Sequence, residues 1–162
     1  MNVMKKFLII LASLTIFVVS ASAQRENVTY LTGGVIHRWS DSDNFYPGAN
    51  LAFGFRNYNP EAGVSFSYGA ELLGYWVPDA AKNNTYGAYA IPEIGIALGP
   101  RGFIIFPHAG FMAGYSSDRG TFGTGGKAGL AFDFGSHITL DFSSYYIKGS
   151  SWISALNFIW RF

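Results

Sequence analysis

One feature restricts the possible folds of this chain most: large apolar side chains alternate with smaller or polar ones, and the alternation continues to the last residue. The final nine residues read SALNFIWRF, so that Leu156, Phe158, Trp160 and Phe162 share one face of an extended strand. Chain ends are ordinarily polar and poorly ordered unless a terminal strand joins a sheet. The pattern therefore predicts a C-terminal β-strand with one strongly apolar face.

Seven earlier segments show the same two-residue period. The eight candidate strands are residues 27–38, 48–57, 63–76, 85–98, 102–115, 121–134, 137–147 and 152–162. Each is long enough for a tilted strand that crosses a membrane, which needs about 9–11 residues. After residue 23, no segment keeps a 3.6-residue period or reaches the ~20 apolar residues of a membrane helix. The segments predict an all-β chain.

The N-terminus has the organisation of a secretory signal peptide. Lys5 and Lys6 precede an apolar run from Phe7 to Val19, and Ala21-Ser22-Ala23 is a small-x-small cleavage site. The alternative, a retained anchor helix, is disfavoured because the apolar run is short for a membrane span. We expect cleavage of residues 1–23 and a single domain over residues 24–162.

The composition of the remaining chain fits a membrane barrel. The sequence has 15 Phe, 10 Tyr, 4 Trp and no cysteine, so a small soluble domain could not easily bury its aromatic rings and no disulfide framework exists. Without Lys5 and Lys6, 9 basic residues (11 − 2) face 10 acidic ones, which argues against a nucleic-acid partner. Backbone groups in hydrocarbon must all be paired, so strands there must form a closed sheet. We predict an eight-stranded antiparallel up-and-down transmembrane β-barrel.

The connections between the segments differ in length in an ordered way. The odd connections are residues 40–48, 78–84, 116–120 and 148–151, and the even ones are residues 59–62, 99–101 and 135–136. The odd connections are longer and more charged, except for the last. Outer-membrane barrels have long extracellular loops and short periplasmic turns. The asymmetry predicts that both termini lie in the periplasm.

The apolar C-terminal strand resembles the recognition signal of Gram-negative outer-membrane proteins, with Leu156, Phe158, Trp160 and Phe162 as the residues that carry it. With eight segments and an export signal, the chain resembles the small OmpA/OmpX-type, porin-like outer-membrane barrels. The resemblance implies location in the outer membrane, contact with its lipid and lipopolysaccharide, and a monomer. It also implies recognition by periplasmic chaperones and by the barrel-assembly machinery.

Charged side chains assigned to the barrel interior form the one candidate constellation. Its members are Arg56, Glu71, Glu93, His108, Lys127, Asp133, His137, Asp141 and Arg161, with His37 as a further candidate. Simple hairpin registers place Asp133 opposite His137, Lys127 diagonal to Asp141, and Glu93 opposite His108. Pro92 and Pro107 then face lipid and predict a bulge or kink, since each lacks a ladder donor.

The favoured interpretation of these charges is a structural polar plug. An eight-stranded barrel is just wide enough for side chains to fill it, and buried charges must pair. A gated proton or ion path and a catalytic site are the alternatives. The Gly-rich run GTFGTGGKAG departs from the phosphate-loop pattern, and the three histidines lack metal-ligand spacing, so we expect no cofactor and no metal.

A lipid A acyl-chain hydrolase would need an outward-facing Ser-His-acid set near one rim. His137, Thr139 and Asp141 alternate on one strand, but they are predicted to face inward and Thr139 is not a serine. The sequence therefore favours a non-enzymatic outer-membrane barrel that contributes to envelope integrity or surface interaction. The alternatives are a narrow porin-like pore, a lipid A-modifying barrel enzyme and a soluble periplasmic ligand-binding barrel like a lipocalin.

Overall fold

Eight strands follow one another along the chain. The computed structural model describes residues 25–39, 47–78, 84–135, 137–148 and 152–162; the predicted signal peptide and most of three predicted loops, residues 40–48, 78–84 and 148–151, lie outside these ranges. The strands are β1 (Glu26–Trp39), β2 (Pro47–Tyr58), β3 (Val64–Val77), β4 (Thr85–Leu98), β5 (Phe103–Ser116), β6 (Thr121–Phe134), β7 (Ile138–Ile147) and β8 (Trp152–Arg161). In the described part of the chain, no helix is long and apolar enough to cross a membrane.

Each strand pairs antiparallel with the next, and β8 pairs with β1 to close the barrel. The closing register runs from Tyr30 opposite Arg161 to Trp39 opposite Trp152. The strand ends lie within one residue of the predicted segments. The predicted fold, an eight-stranded antiparallel up-and-down barrel, is therefore confirmed.

The two faces of the barrel wall have opposite chemistry. Along β4, burial alternates residue by residue from Thr85 to Leu98. Large apolar side chains point outward, for example Phe53, Leu72 and Leu156, which are 55%, 64% and 50% exposed. Charged side chains such as Glu71 point inward and are buried. A contiguous apolar exterior around a closed sheet is the surface that hydrocarbon requires, so the barrel is a transmembrane barrel.

The two ends of the barrel are unlike in their connections. The terminal end carries the start of β1, the end of β8 and the β2–β3, β4–β5 and β6–β7 turns, and the loop end carries the other four connections. Gly63 and Gly135 turn the chain at the terminal end with φ of 62° and 64°. A residue with a β-carbon is strained in this left-handed conformation, so glycine permits these short turns.

The β4–β5 ladder is interrupted at two places. Cα partners run from Gly87–Ser116 to Ala90–Ala113 and resume at Glu93–Gly110, which leaves Pro92 outside the pairing. A second interruption lies around Pro107. The register is the same on both sides of each gap, so no residue is inserted: of the predicted bulge or kink, the bulge is wrong, while the local disturbance is present at both prolines. The two prolines instead open the ladder locally, because neither has an N–H to donate.

Candidate functional site

A layer of buried charges crosses the middle of the barrel interior. We call it the charged layer, and its members are Arg56, Glu71, Glu93, His108, Lys127 and Asp141. Lys127 Nζ lies 3.1 Å from Glu71 Oε1 and 3.2 Å from Glu93 Oε2, and Arg56 Nη2 donates to Glu93 Oε1 at 3.0 Å. The Arg56 guanidinium also stacks 3.9 Å from the centre of the Phe106 ring. The layer joins six strands, β2 to β7, across the lumen.

His108 links the second half of the charged layer. Its Nε2 lies 2.8 Å from Asp141 Oδ1, and its Nδ1 lies 3.5 Å from Glu93 Oε2. Asp141 Oδ2 accepts hydrogen bonds from Ser143 Oγ at 2.7 Å and from Asn157 Nδ2 at 3.1 Å. Asp141, His108 and Ser143 resemble a hydrolytic constellation in composition. The serine binds the carboxylate rather than the histidine, however, and all three are buried away from lipid.

A smaller polar cluster lies nearer the terminal end. Arg161 Nη1 donates to Asp133 Oδ2 at 2.7 Å, and Thr139 Oγ1 donates to Asp133 Oδ1 at 2.6 Å. The Tyr58 hydroxyl accepts from Arg161 Nη1 at 3.2 Å. Each charged group here has an opposite charge and a neutral partner, as a buried ion pair requires.

Apolar layers fill the lumen on both sides of the charges. The layer toward the loop end contains Ile36, Ala52, Leu73, Tyr75, Val77, Tyr89, Ile91, Met112, Tyr145, Ile147, Ile153 and Ala155. The layer toward the terminal end contains Tyr58, Ala97, Ile104, Phe106 and Ala131. A cavity of about 10 Å³ lies within the first layer, which is room for one water molecule at most. The described part of the lumen is packed and has an apolar half that the sequence analysis did not predict.

Eight of the nine predicted lumen residues are buried in the interior, and His137 is not. It lies exposed in the β6–β7 turn, where its ring stacks on Trp160 at 5.9 Å and its Nδ1 lies 3.3 Å from the Arg161 carbonyl. The predicted Asp133–His137 pair is wrong because the turn has three residues, which places Asp133 opposite Thr139. The prediction centred the hairpin on Gly135, whereas the observed pairing of Asp133 lies two residues further along the chain.

Two other predicted registers are also corrected. Lys127 lies opposite Tyr145, and Glu93 lies opposite Gly110 rather than His108. Glu93 and His108 still meet, because they are diagonal neighbours on the same face. The four residues assigned to the C-terminal signal, Leu156, Phe158, Trp160 and Phe162, lie on the outer surface with exposures between 48% and 71%.

An outward-facing cluster of polar side chains lies near the loop end, on β1, β7 and β8. His37 of β1 is directly opposite Ser154 of β8, and Ser154 is directly opposite Ser144 of β7. The next residue after His37, Arg38, points inward and donates to Thr85 Oγ1 at 3.0 Å. His37 therefore points outward, and the sequence-based placement of His37 with the lumen charges is wrong.

Trp39 contacts both members of the opposed His37–Ser154 pair, which we call the outward pair. Its Nε1 donates to Ser154 Oγ at 2.8 Å, and its ring centre lies 4.9 Å from the His37 ring. Trp152 and Tyr146, with ring centres 5.0 Å apart, lie beside them. Tryptophan and tyrosine favour the boundary between hydrocarbon and headgroups, so the outward pair lies at the depth of that boundary.

The outward pair has the residue types of an activated nucleophile. Directly opposed residues in an antiparallel sheet have Cβ atoms about 4.5–5.5 Å apart, so the imidazole can reach the serine hydroxyl. A histidine that accepts this proton turns the serine oxygen into a nucleophile. An ionisable side chain on the membrane-facing surface is energetically costly, which marks it as a functional candidate.

The sequence contained a signal for this orientation. Val35 and Ile36 are adjacent apolar residues after two glycines, so the two-residue period of this segment does not assign its faces. Trp39 stands two positions after His37 and thus on the same face. A tryptophan at a strand end indicates the outer boundary of the membrane, which would have placed His37 outside.

No protein-family model matches the sequence, and no curated protein matches it significantly. Among solved structures, the crystal structure of the outer membrane enzyme PagL is similar to this chain, with a TM-score of 0.55 at 10% sequence identity. The alignment covers 84% of this chain and 98% of the PagL chain. At this identity the similarity shows a shared fold.

This similarity contradicts the prediction of a non-enzymatic chain and supports the predicted resemblance to outer-membrane barrels. The sequence predicts a non-enzymatic barrel because its one candidate set, His137, Thr139 and Asp141, is predicted to face inward and contains no serine. That prediction is contradicted, since a barrel with the same fold is an outer membrane enzyme. The resemblance to outer-membrane barrels is confirmed at the level of fold.

Proposed function

We propose that this chain is an integral outer-membrane barrel that acts as an enzyme on membrane lipid, hydrolysing an acyl ester at the outward pair. The observation that carries the proposal is the direct opposition of His37 and Ser154 on the outer surface. The fold shared with the outer membrane enzyme PagL supports it, because such a barrel can support catalysis without a cleft between domains.

The reaction follows from the chemistry of the two side chains. His37 accepts the proton of Ser154 while the serine oxygen attacks the ester carbonyl carbon. The carbon–oxygen bond to the alcohol breaks, and the alcohol leaves with the proton from His37. Water, activated in turn by His37, then attacks the acyl-serine, releases the fatty acid and restores the serine. The Trp39 N–H, which donates to Ser154 Oγ, orients that oxygen.

The position of the outward pair favours lipid as the substrate. Its aromatic surroundings lie at the boundary between headgroups and hydrocarbon, where the esters of membrane lipids also lie. The pair faces outward, so a lipid reaches it by diffusion in the membrane plane. With the termini in the periplasm, the loop end faces the cell surface, and the substrate is an acyl ester of lipid A in the outer leaflet.

The packed interior argues against a pore as the main function. Apolar layers lie on both sides of the charged layer, and the cavity within the first of them is about 10 Å³. Toward the loop end, Arg38 Nη2 and Asp118 Oδ2 form an ion pair of 3.2 Å across the mouth of the barrel. The charged layer then serves to hold the strands together.

The activity is tested with barrel refolded into vesicles that contain lipid A, by measuring released fatty acid with mass spectrometry. We expect release by the natural chain and a loss of about 100-fold or more in Ser154→Ala and in His37→Gln, since general-base catalysis contributes about 10²–10⁴-fold. A fluorophosphonate probe should label Ser154 in the natural chain.

Ser144→Ala is the matched control for Ser154→Ala. Ser144 is also a half-buried, outward-facing serine and lies directly opposite Ser154, but it is not opposite His37. Its removal should change the rate by no more than a few-fold. Absence of release by the natural chain, or equal release by Ser154→Ala, would contradict the proposed activity.

Targeting to the outer membrane is proposed to depend on the outward C-terminal stripe. Phe162 is 71% exposed, and its backbone N–H donates to the Thr29 carbonyl at 2.9 Å, so it extends the β1–β8 pairing by one residue. Deletion of Phe162 should lower the amount of heat-modifiable barrel in the outer membrane several-fold while barrel that does assemble keeps its activity. Unchanged assembly of the deletion would overturn this role.

A further inference from the structure

We propose that an outward groove across β3, β4, β5 and β6 binds one acyl chain of a membrane lipid, separately from the outward pair. The groove has a volume of about 660 Å³ and is lined by Tyr68, Pro92, Ile94, Ala109, Phe111 and Gly126, among others. These residues lie near the middle of their strands. The outward pair is on β1 and β8, which lie on the other side of the barrel.

The groove exists because the outer surface of the barrel is lower where β4 meets β5, a boundary that we call the β4–β5 seam. Pro92 interrupts the pairing of β4 with β5, and the neighbouring outward positions on β5 and β6 hold the small residues Ala109 and Gly126. Tyr68 and Phe111 stand out on either side with 47% and 56% exposure. The small residues therefore form a shallow depression between two protruding aromatic side chains.

A second depression continues the groove over β2, β3 and β4. It has a volume of about 230 Å³, and Phe53, Phe55, Ala70, Leu72 and Ala90 are among its lining residues. Pro92 lines both depressions, so the two are adjacent. Together they are two adjacent, open depressions that extend from β2 to β6 on the outer surface.

An acyl chain is the occupant that fits this position. The groove lies at mid-strand in the apolar band, where lipid chains surround the barrel. Glu93 lies behind the seam, but its carboxylate is held by Arg56 and Lys127, so the groove offers hydrocarbon contacts. A flexible chain can follow an elongated groove, whereas a second barrel would meet it with a convex wall.

Photolabelling tests the groove. The barrel is refolded in phosphatidylethanolamine–phosphatidylglycerol vesicles with a small fraction of phosphatidylcholine that carries a mid-chain diazirine, and adducts are mapped by mass spectrometry. We expect several-fold more adducts at Tyr68, Ile94 and Phe111 than at Leu156 and Phe158, which lie on the β8 face.

Gly126→Leu fills the groove, and Gly33→Leu is its matched control. A β-carbon at Gly126 would meet only the Gly110 carbonyl oxygen, at 3.9 Å, and one at Gly33 would meet nothing within 4 Å. Both glycines face outward, and Gly33 lies outside the groove. Gly126→Leu should lower labelling of Tyr68 and Phe111 to the level of Leu156, while Gly33→Leu should leave it unchanged.

Other outcomes overturn the proposal. Equal labelling of both faces in the natural chain, or unchanged labelling in folded Gly126→Leu, would show that no chain is held there. Depleted lipid adducts together with protein–protein crosslinks at Phe111 would show that a second copy covers the groove. If Gly126→Leu does not show the heat-modifiable migration of a folded barrel, Ala109→Leu provides the same test.

Discussion

The charged layer and the outward pair are both polar groups within an otherwise apolar band, yet they differ in burial and in the surface that they face. In the charged layer, Lys127 contacts two carboxylates and Glu93 contacts Arg56, Lys127 and His108. In the outward pair, Ser154 accepts one hydrogen bond from Trp39 and lies at the surface. One region is buried and densely ion-paired, and the other is accessible to lipid.

The difference separates a structural role from a chemical one. Groups that are buried, paired and hydrogen-bonded cannot meet a substrate, and removing one leaves its partners uncompensated. Groups that face the membrane can meet lipid. We therefore expect substitutions in the charged layer to lower stability, and substitutions in the outward pair to lower activity.

The largest effect on stability is expected for Lys127→Met. Methionine fills a similar volume but leaves the Glu71 carboxylate, and part of that of Glu93, without a cation in the barrel interior. Breaking a buried ion pair by removing one partner typically costs about 3–5 kcal/mol. The free energy of unfolding, measured by urea titration of barrel refolded in lipid vesicles, should fall by about that amount.

Lys148→Met is the control for this substitution. Lys148 lies exposed in the turn after β7, and an exposed substitution ordinarily changes stability by less than about 0.5 kcal/mol. The double variant Lys127→Met with Glu71→Gln should recover part of the lost stability, because it removes one uncompensated carboxylate. Equal stabilities for Lys127→Met and Lys148→Met would contradict the structural role of the charged layer.

A smaller loss of stability is expected for Gly129→Ala, which tests how tightly the interior around the charged layer is packed. A β-carbon at Gly129 would lie 2.6 Å from both His108 Nε2 and Ser143 Oγ, so the histidine must move away from Asp141. Crowding of a packed interior costs about 1–3 kcal/mol. Gly33→Ala, on the outer surface of the same strand as His37, has open space and should change stability by less than about 0.5 kcal/mol. Equal losses would show that the interior near His108 is not tightly packed.

Most of the fold could be predicted because the wall of a membrane barrel repeats one rule. Each strand must alternate between lipid and interior, so β2, β3 and β6 to β8 show their faces in sequence. The β4–β5 seam was less predictable. Pro92 and Pro107 indicated a disturbance, but whether a strand gains a residue or loses pairing depends on the neighbouring strand, which the local sequence does not contain.

The site was predictable only in part, because contacts across the lumen depend on strand tilt and stagger. Alternation placed Glu71 and Lys127 inside, but their 3.1 Å contact joins β3 to β6 and follows from closure of the barrel. The turn at Gly135 shows how one residue matters. Asp133 pairs two residues further along the chain than a hairpin centred on Gly135 predicts, which leaves His137 in the turn and brings Thr139 to Asp133.

The smallest effect on stability is expected for Ser154→Ala. It removes one acceptor from the Trp39 indole N–H, and a single hydrogen bond contributes about 0.5–1.5 kcal/mol to stability. Trp39 is 59% exposed near the boundary with the headgroups, where water can replace the serine, so we expect a loss at the lower end of that range. The same urea titration measures it beside Ser144→Ala. A loss as large as that of Lys127→Met would show that Ser154 holds the barrel closed between β1 and β8, and the contrast between a structural interior and a reactive exterior would fail.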